Sequence, residues 1–145
     1  MTIIKKITSK ATYSVRLNVL RKGKPIESCY FNGDDDQTTA HFGVFQEENI
    51  IGVVSVYKVC NPLFHESDQF QIRGMAILAE FQGKGFGEQL LKAAETYCRN
   101  EKSELIWFNA REKAVPFYKK SGYKIIGDSF DITDVGTHFV MHKKS

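Results

Sequence analysis

The chain of 145 residues is poor in the residues that mark special classes: three cysteines, three prolines and one tryptophan. Cys29, Cys60 and Cys98 are widely spaced and form no C-x-x-C pair. That pattern is neither a disulfide framework nor a zinc site, and it fits a reducing cytoplasm. No apolar run reaches the roughly 18 residues of a membrane helix. The charged start, Met1 to Lys6, has no apolar stretch behind it, so no signal peptide is expected. Gly/Ser linkers, Pro-rich tracts and internal repeats are missing as well, and the length suits one domain spanning 1–145. Net charge is only +3, too little to argue for nucleic acid. Residues 1–25 hold seven Lys/Arg and no acid, but aromatics are not interleaved with them, and the segment reads as a solvated surface. Neither a nucleic acid nor a membrane is expected as partner.

What is present is an ordinary core. Apolar residues make up 42%, with 11 Phe and 6 Tyr, against 26% charged, which excludes a disordered or low-complexity chain. A first strand is predicted at Ile3–Ile7 and a helix from Thr12 to Leu20, ended by Gly23 and Pro25. Glu27 to Asp36 reads as a loop. The β-rich runs Ala40–Phe45 and Ile50–Val59, joined by a four-residue connection, predict a hairpin. A further strand follows near Phe70–Leu78. The period then changes: Phe86, Leu90, Leu91, Ala94, Tyr97 and Cys98 recur at helical spacing from Gly85 to about Glu101. A short strand (Leu105–Phe108), a short helix (Glu112–Lys120) and strands at Tyr123–Ile126 and Thr137–Met141 complete the order. Pro116 is tolerable only in the first turn of its helix. The order β-α-β-β-β-α-β-α-β-β is that of an α/β fold on a mixed sheet.

The strongest local signal is the step from the apolar strand ending near Leu78 into Gln82-Gly83-Lys84-Gly85-Phe86-Gly87 and at once into an amphipathic helix. Glycines let the backbone turn sharply and approach a ligand, and the helix start offers free N–H groups and a positive dipole end. Together they suit a pyrophosphate; the alternative is a turn whose glycines serve only the bend. A P-loop is excluded because Gly83-Lys84 is followed by Gly85 rather than Ser or Thr, and the third glycine of a GxGxxG fingerprint is misplaced.

Gln82-x-x-Gly85-x-Gly87 fits the acetyl-CoA loop [Gln/Arg]-x-x-Gly-x-[Gly/Ala] of the GCN5-related N-acetyltransferases (GNAT). Asn109, which ends the next strand, and Ala114-Val-Pro-Phe-Tyr-Lys-Lys-Ser-Gly-Tyr123, which fits A-x-x-F-Y-x-x-x-G-[Phe/Tyr], extend the resemblance over about Ala40 to Ile126. It implies a mostly antiparallel central sheet flanked by helices, with acetyl-CoA as cosubstrate and no metal. It also implies that the backbone of Met75, Ala76 and Ile77 pairs with the pantetheine arm, and that N–H groups from Gln82, Gly83, Lys84, Gly85, Phe86 and Gly87 hold the pyrophosphate. Asn109 would bond the arm, and Tyr118 would be the general acid toward the leaving thiolate. The reaction implied is direct attack of a neutral amine on the thioester. A non-catalytic acyl-CoA sensor on the same fold is the alternative.

The base is not spelled out by the family. Candidates are Asp34, Asp35, Asp36, His41 and His138; the cysteines lack a patterned His partner for a covalent route. Glu27, Asp34, Asp35, Asp36, Glu66 and Asp68 outnumber Arg16 and Arg21 in the expected acceptor region, which predicts a small cationic amine acceptor steered by acidity. Exposed strand edges leave a homodimer open.

Overall fold

Period-2 and period-3.6 patterning become strands and helices in the order expected, in a computed structural model that describes residues 1–145. The strands are β1 (Thr2–Ile7), β2 (Ala40–Gln46), β3 (Asn49–Tyr57), β4 (Gln69–Ile77), β5 (Leu105–Arg111), β6 (Lys124–Ile132) and β7 (Gly136–Lys144). The helices are α1 (Tyr13–Val19), α2 (Phe86–Asn100) and α3 (Val115–Lys120). One seven-stranded sheet runs β1-β2-β3-β4-β5-β7-β6. Every neighbouring pair is antiparallel except β4–β5. Pro116 sits in the first turn of α3, where its missing N–H costs no helical bond.

The two helical layers cover opposite faces of the sheet. On one face Leu90, Leu91, Ala94 and Cys98 of α2 pack against Val54, Val56, Phe70, Ile72, Ile106 and Phe108. Leu90 and Leu91 are essentially fully buried, each contributing about 1.5–3 kcal/mol of apolar burial. On the other face Val15 of α1 packs on Val53 and Ala76. Burial of one stripe per helix against one face of a sheet is what fixes this layering.

Some boundaries differ from the sequence reading, each for a local reason. The hairpin connection is two residues, Glu47-Glu48, because β2 and β3 pair to Gln46↔Asn49. The first helix is split into a 3-10 turn (Lys10–Thr12) and α1, and the expected loop contains a second 3-10 turn, Ile26–Cys29. β6 and β7 are longer than predicted. Pairing breaks between Ile126 and Phe130, so the polar Gly127-Asp128-Ser129 is taken up in a bulge that hides the strand from pattern reading. β5 runs on to Arg111, so Asn109 lies inside a strand, opposite Val140 of β7, rather than at its end. No helix is long and apolar enough to cross a membrane.

Candidate functional site

The site begins with a pairing that stops early. β4 and β5 are in register only at Gln69↔Leu105, Phe70↔Ile106 and Gln71↔Trp107, although β4 continues to Ile77 and β5 to Arg111. Beyond Gln71 the two edges diverge and expose unpaired backbone groups, which must find partners if they are covered. A bulge in β4 drives the divergence. Arg73 to Ala76 on β4 lies opposite Ser55 to Val53 on β3, which inserts one extra residue. Gly74 takes the left-handed φ of +66° that this bend requires, and a Cβ there would stand 3.0 Å from the Phe31 ring.

A cleft of about 500 Å³ opens where the strands part. Met75, Ala76, Ile77, Gln82, Asn109 and Tyr118 all line it, so six sequence-selected residues from four separate segments come together. Gly83, Lys84, Gly85, Phe86 and Gly87 are not wall residues; they follow Gln82 into α2. The Gln82 side-chain amide donates to the Ile77 carbonyl at 2.9 Å and ties this loop to the end of β4. An ideal Cβ on Gly87 would lie 3.7 Å from the Met75 sulfur, which brings the start of α2 against the cleft wall. Gly85 is the N-cap of α2 at φ +88°, with no side chain capping the helix. The Gln82 amide, expected among the phosphate donors, is instead spent on the Ala79 carbonyl, which closes the 3-10 turn before the loop, whereas none of the amides from Gly83 to Glu88 donates to a carbonyl or side chain of the protein. Six successive free donors at the positive end of a 15-residue helix are a set that could hold an anion beside the cleft. The Lys84 ammonium stands 5.7 Å from the centre of the Phe81 ring.

Strand alternation sorts the walls onto the two faces of the sheet. Phe108 and Ala110 of β5 belong to the α2-side core, and Tyr118 packs there with its ring 4.3 Å from that of Phe108. Asn109 and Arg111 alternate to the α1 side. His138 is there too, stacked 5.8 Å from Phe130 and next but one to Val140. Arg73 also faces α1, with its guanidinium 5.2 Å from the ring centres of both Phe31 and Tyr57. The cleft therefore passes through the sheet, with the amide cradle and Tyr118 on the α2 side and Arg73, Arg111 and His138 on the α1 side.

The Tyr118 hydroxyl has no hydrogen-bond partner in the chain, yet it is not sealed from the cleft. Burial pushes its pKa up to about 12, so the phenol keeps its proton across the neutral range. It is a donor without an acceptor, at the point where the strands part.

The base candidates separate sharply. Asp34 is buried in an ion pair with Arg16, both side chains 0% exposed and 2.6 Å apart. Burial alone would raise the Asp34 pKa. Hydrogen bonds from Arg16, Tyr57 and the Phe31 amide, with the Arg16 charge, outweigh it and hold the carboxyl below its ordinary value. The His41 Nε2 meets the Asp34 carbonyl oxygen at 2.9 Å and its Nδ1 meets the Ser55 hydroxyl at 2.6 Å. A carbonyl only accepts, so Nε2 carries the proton and Nδ1 accepts from Ser55. Burial lowers the His41 pKa and keeps it neutral. Asp35 accepts from Ser9 at the surface, and Asp36 is exposed. Of the five, His138 alone lines the cleft. Its Nδ1 lies 2.8 Å from the Gly136 carbonyl and must donate there, which leaves Nε2 a bare lone pair when the ring is neutral.

The acids taken as a steering patch do not reach the cleft, whose lining holds no Asp or Glu. Sequence reasoning passed over Arg73, Arg111 and Phe31, which do line it. The one available signal was a lone arginine within the otherwise apolar or neutral run Phe70–Leu78. None of the three cysteines lines the cleft, and no group of three or more His, Cys, Asp or Glu stands close enough to hold a metal ion.

A family model described as an acetyltransferase (GNAT) domain matches residues 26–144. A Bacillus subtilis (strain 168) protein named "Uncharacterized N-acetyltransferase YitI" is 34% identical over 143 residues, covering 99% of this chain and 96% of that protein. Among solved structures, the ribosomal-protein-S18-alanine N-acetyltransferase from Escherichia coli has a TM-score of 0.79 at 15% identity, covering 99% of this chain and 94% of that one. A GNAT family acetyltransferase from Elizabethkingia anophelis, solved with acetyl-CoA bound, has a TM-score of 0.71 at 15% identity, covering 99% and 98% of the two chains.

Proposed function

The chain belongs to the GNAT family of N-acetyltransferases, and we propose that its cleft transfers the acetyl group of acetyl-CoA to a small primary amine while both are bound. The observation that carries this reading is the interrupted β4–β5 pairing, with free amides at one end and an unpartnered phenol beside it. Acetyl-CoA supplies the acetyl group as a thioester. Amides from Gly83 to Glu88 hold its phosphates, and the open edge of Met75, Ala76 and Ile77 bonds the pantetheine arm as an added strand would. Asn109 on the facing strand bonds the same arm. A backbone N–H of β4 near its bulge receives the charge that builds on the carbonyl oxygen.

The acceptor enters from the α1 side, where His138 Nε2 takes a proton from its ammonium or from the attacking nitrogen. The amine nitrogen forms the new C–N bond, the C–S bond breaks, and Tyr118 gives its proton to the departing sulfur. A sensor would need only the amides at the start of α2 and the parted strand edges; a cleft that continues on the α1 side past them, with His138 among its lining residues, favours the enzyme. The direct test is release of free thiol from acetyl-CoA in the presence of a panel of amines.

His138→Gln preserves a donor toward Gly136 but removes the base. It should lower kcat/KM at neutral pH by about 10²-fold. The loss should shrink as pH rises toward the acceptor's own pKa, where solvent deprotonates the amine. A wild-type rate at neutral pH would remove His138 from the mechanism.

A further inference from the structure

We infer that the acceptor amine carries an anionic group, a carboxylate or a phosphate, held by Arg73 with Arg21 and Arg111. This deepens the acetyltransferase reading and rests on it. The lining of the cleft contains three arginines and no acid. The surplus is not neutralised by neighbours. The chain's one buried arginine outside the lining, Arg16, has its own carboxylate, Asp34, but Arg21, Arg73 and Arg111 form no ion pair at all. Arg21 donates its Nε to the Ser28 carbonyl and its Nη1 to the Leu20 carbonyl, and its Nη2 donates to nothing in the chain. Arg73 and Arg111 donate to nothing in the chain.

Arg73 is the telling case. It is half-buried, stacked against Phe31 and Tyr57, and placed beside the β4 bulge by the same Gly74 that opens the cleft. A partly desolvated guanidinium without a carboxylate is unfavourable on its own, whereas stacking holds the fork ready for a planar or tetrahedral anion. Arg21 lies 5.0 Å from the same Phe31 ring, which the carboxylate-paired Arg16 also meets at 3.9 Å, so Arg21 and Arg73 are the two guanidiniums on this ring that have no ion pair. Arg111 sits opposite His138 in the β5–β7 register, on the α1 side with the proposed base. An acceptor whose anion rests on Arg73 thus has His138 within the same half of the cleft.

These charges do not belong to the phosphate cradle. Arg73 lies four residues before Ile77 on β4, about 13 Å along an extended strand from the end that leads to Gln82. It also faces α1, whereas the amides of residues 83–88 open at the N-terminus of α2. A cationic acceptor would meet three like charges here and no acid, so the geometry reverses the sign expected from the acidic residues.

The test compares matched amines. Leucine and phenylalanine are each paired with their C-terminal amides, and O-phosphoethanolamine with ethanolamine, in the thiol-release assay. At least one anionic member should show kcat/KM at least about tenfold above its neutral partner, because an anion on a guanidinium fork is the stronger of the two contacts. The pair that responds tells carboxylate from phosphate. Arg73→Gln and, separately, the exposed Arg111→Gln should bring that ratio toward unity. Acetyl-CoA affinity, measured in each variant, reports on the fold and the cofactor end. Binding of N-acetyl-leucine against N-acetyl-leucinamide, and of N-acetyl-O-phosphoethanolamine against N-acetylethanolamine, to the coenzyme A complex gives the same comparison without turnover. Neutral members matching or exceeding their anionic partners in both assays, or a ratio untouched by both arginine variants, would overturn the inference and leave the acetyltransferase reading standing. Loss of acetyl-CoA binding by the wild type would instead strike the acetyltransferase reading itself.

Discussion

Tyr118→Phe should cut kcat by about 10²-fold or more while acetyl-CoA binds as before. The substitution removes one hydroxyl and keeps the ring that packs on Phe108, Phe117 and Tyr123. The hydroxyl has no partner to orphan inside the protein, so stability should hardly change. With its pKa pushed up to about 12 by burial, the wild-type phenol remains protonated throughout the usual assay range. Its loss should therefore depress the whole pH–rate profile without moving the acidic limb. Pre-steady-state kinetics with the variant separate the alternatives. An enzyme loses the chemical step, whereas a protein in which Tyr118 only packs shows unchanged turnover.

The largest stability effect is expected at Asp34→Ala. It strips the carboxylate that Arg16, Tyr57 and the Phe31 amide all share and strands a guanidinium that is 0% exposed. Breaking a buried pair from one side costs about 3–5 kcal/mol, which corresponds to a fall in Tm of roughly 10–16 °C for a chain of this size. The same network sets the acid response. The Asp34 pKa is depressed below 3.8, so its contribution is fully present above 3.8 and is lost as pH falls below that value. The His41 pKa is depressed below 6.5, so the unfolded chain takes up that proton first and stability starts to decline as pH falls through 6.5. Thermal melts from pH 7 to 3 should show both steps in sequence, and His41→Asn should shrink the first, leaving the share that comes from His142, whose pKa burial also lowers. A flat Tm over the range from 6.5 to 5 in the wild type would contradict this assignment.

How much of this was legible depends on what each residue needs from its neighbours. Gln82 to Gly87 could be read locally, because the left-handed φ at Gly83 and Gly85 demands glycine whatever surrounds it; nothing lies within 4 Å of a Cβ at either. The α2 stripe was legible for the same local reason, since each apolar residue at helical spacing faces one side. Asn109 and Tyr118 came from segment spelling, and both line the cleft. None of the acids counted as a steering patch lines the cleft, because counting charge along a sequence ignores where each acid lands and what it pairs with. Asp34 looks like a surface acid beside Asp35 and Asp36, but Arg16, eighteen residues upstream, consumes it. Arg73 and Arg111 were missed because their meaning comes from the parting of β4 and β5, a tertiary event with no periodic trace. His138 stood out only when the fold showed that four rival bases point elsewhere or are spent.

Acetyl-CoA binding should depend on the amide run at the start of α2, and calorimetric titration of acetyl-CoA into the wild type, Gly85→Ala and Gly85→Glu tests this most directly. Both variants share the strain of a side chain at φ +88°, and neither meets crowding there, so both should stay folded; Glu alone adds a negative charge facing the phosphates. The prediction is saturable binding by the wild type, weaker binding by Gly85→Ala and none by Gly85→Glu. A wild-type protein with an intact melt and no heat of binding, or a Gly85→Glu variant that binds as tightly as the wild type, would contradict it.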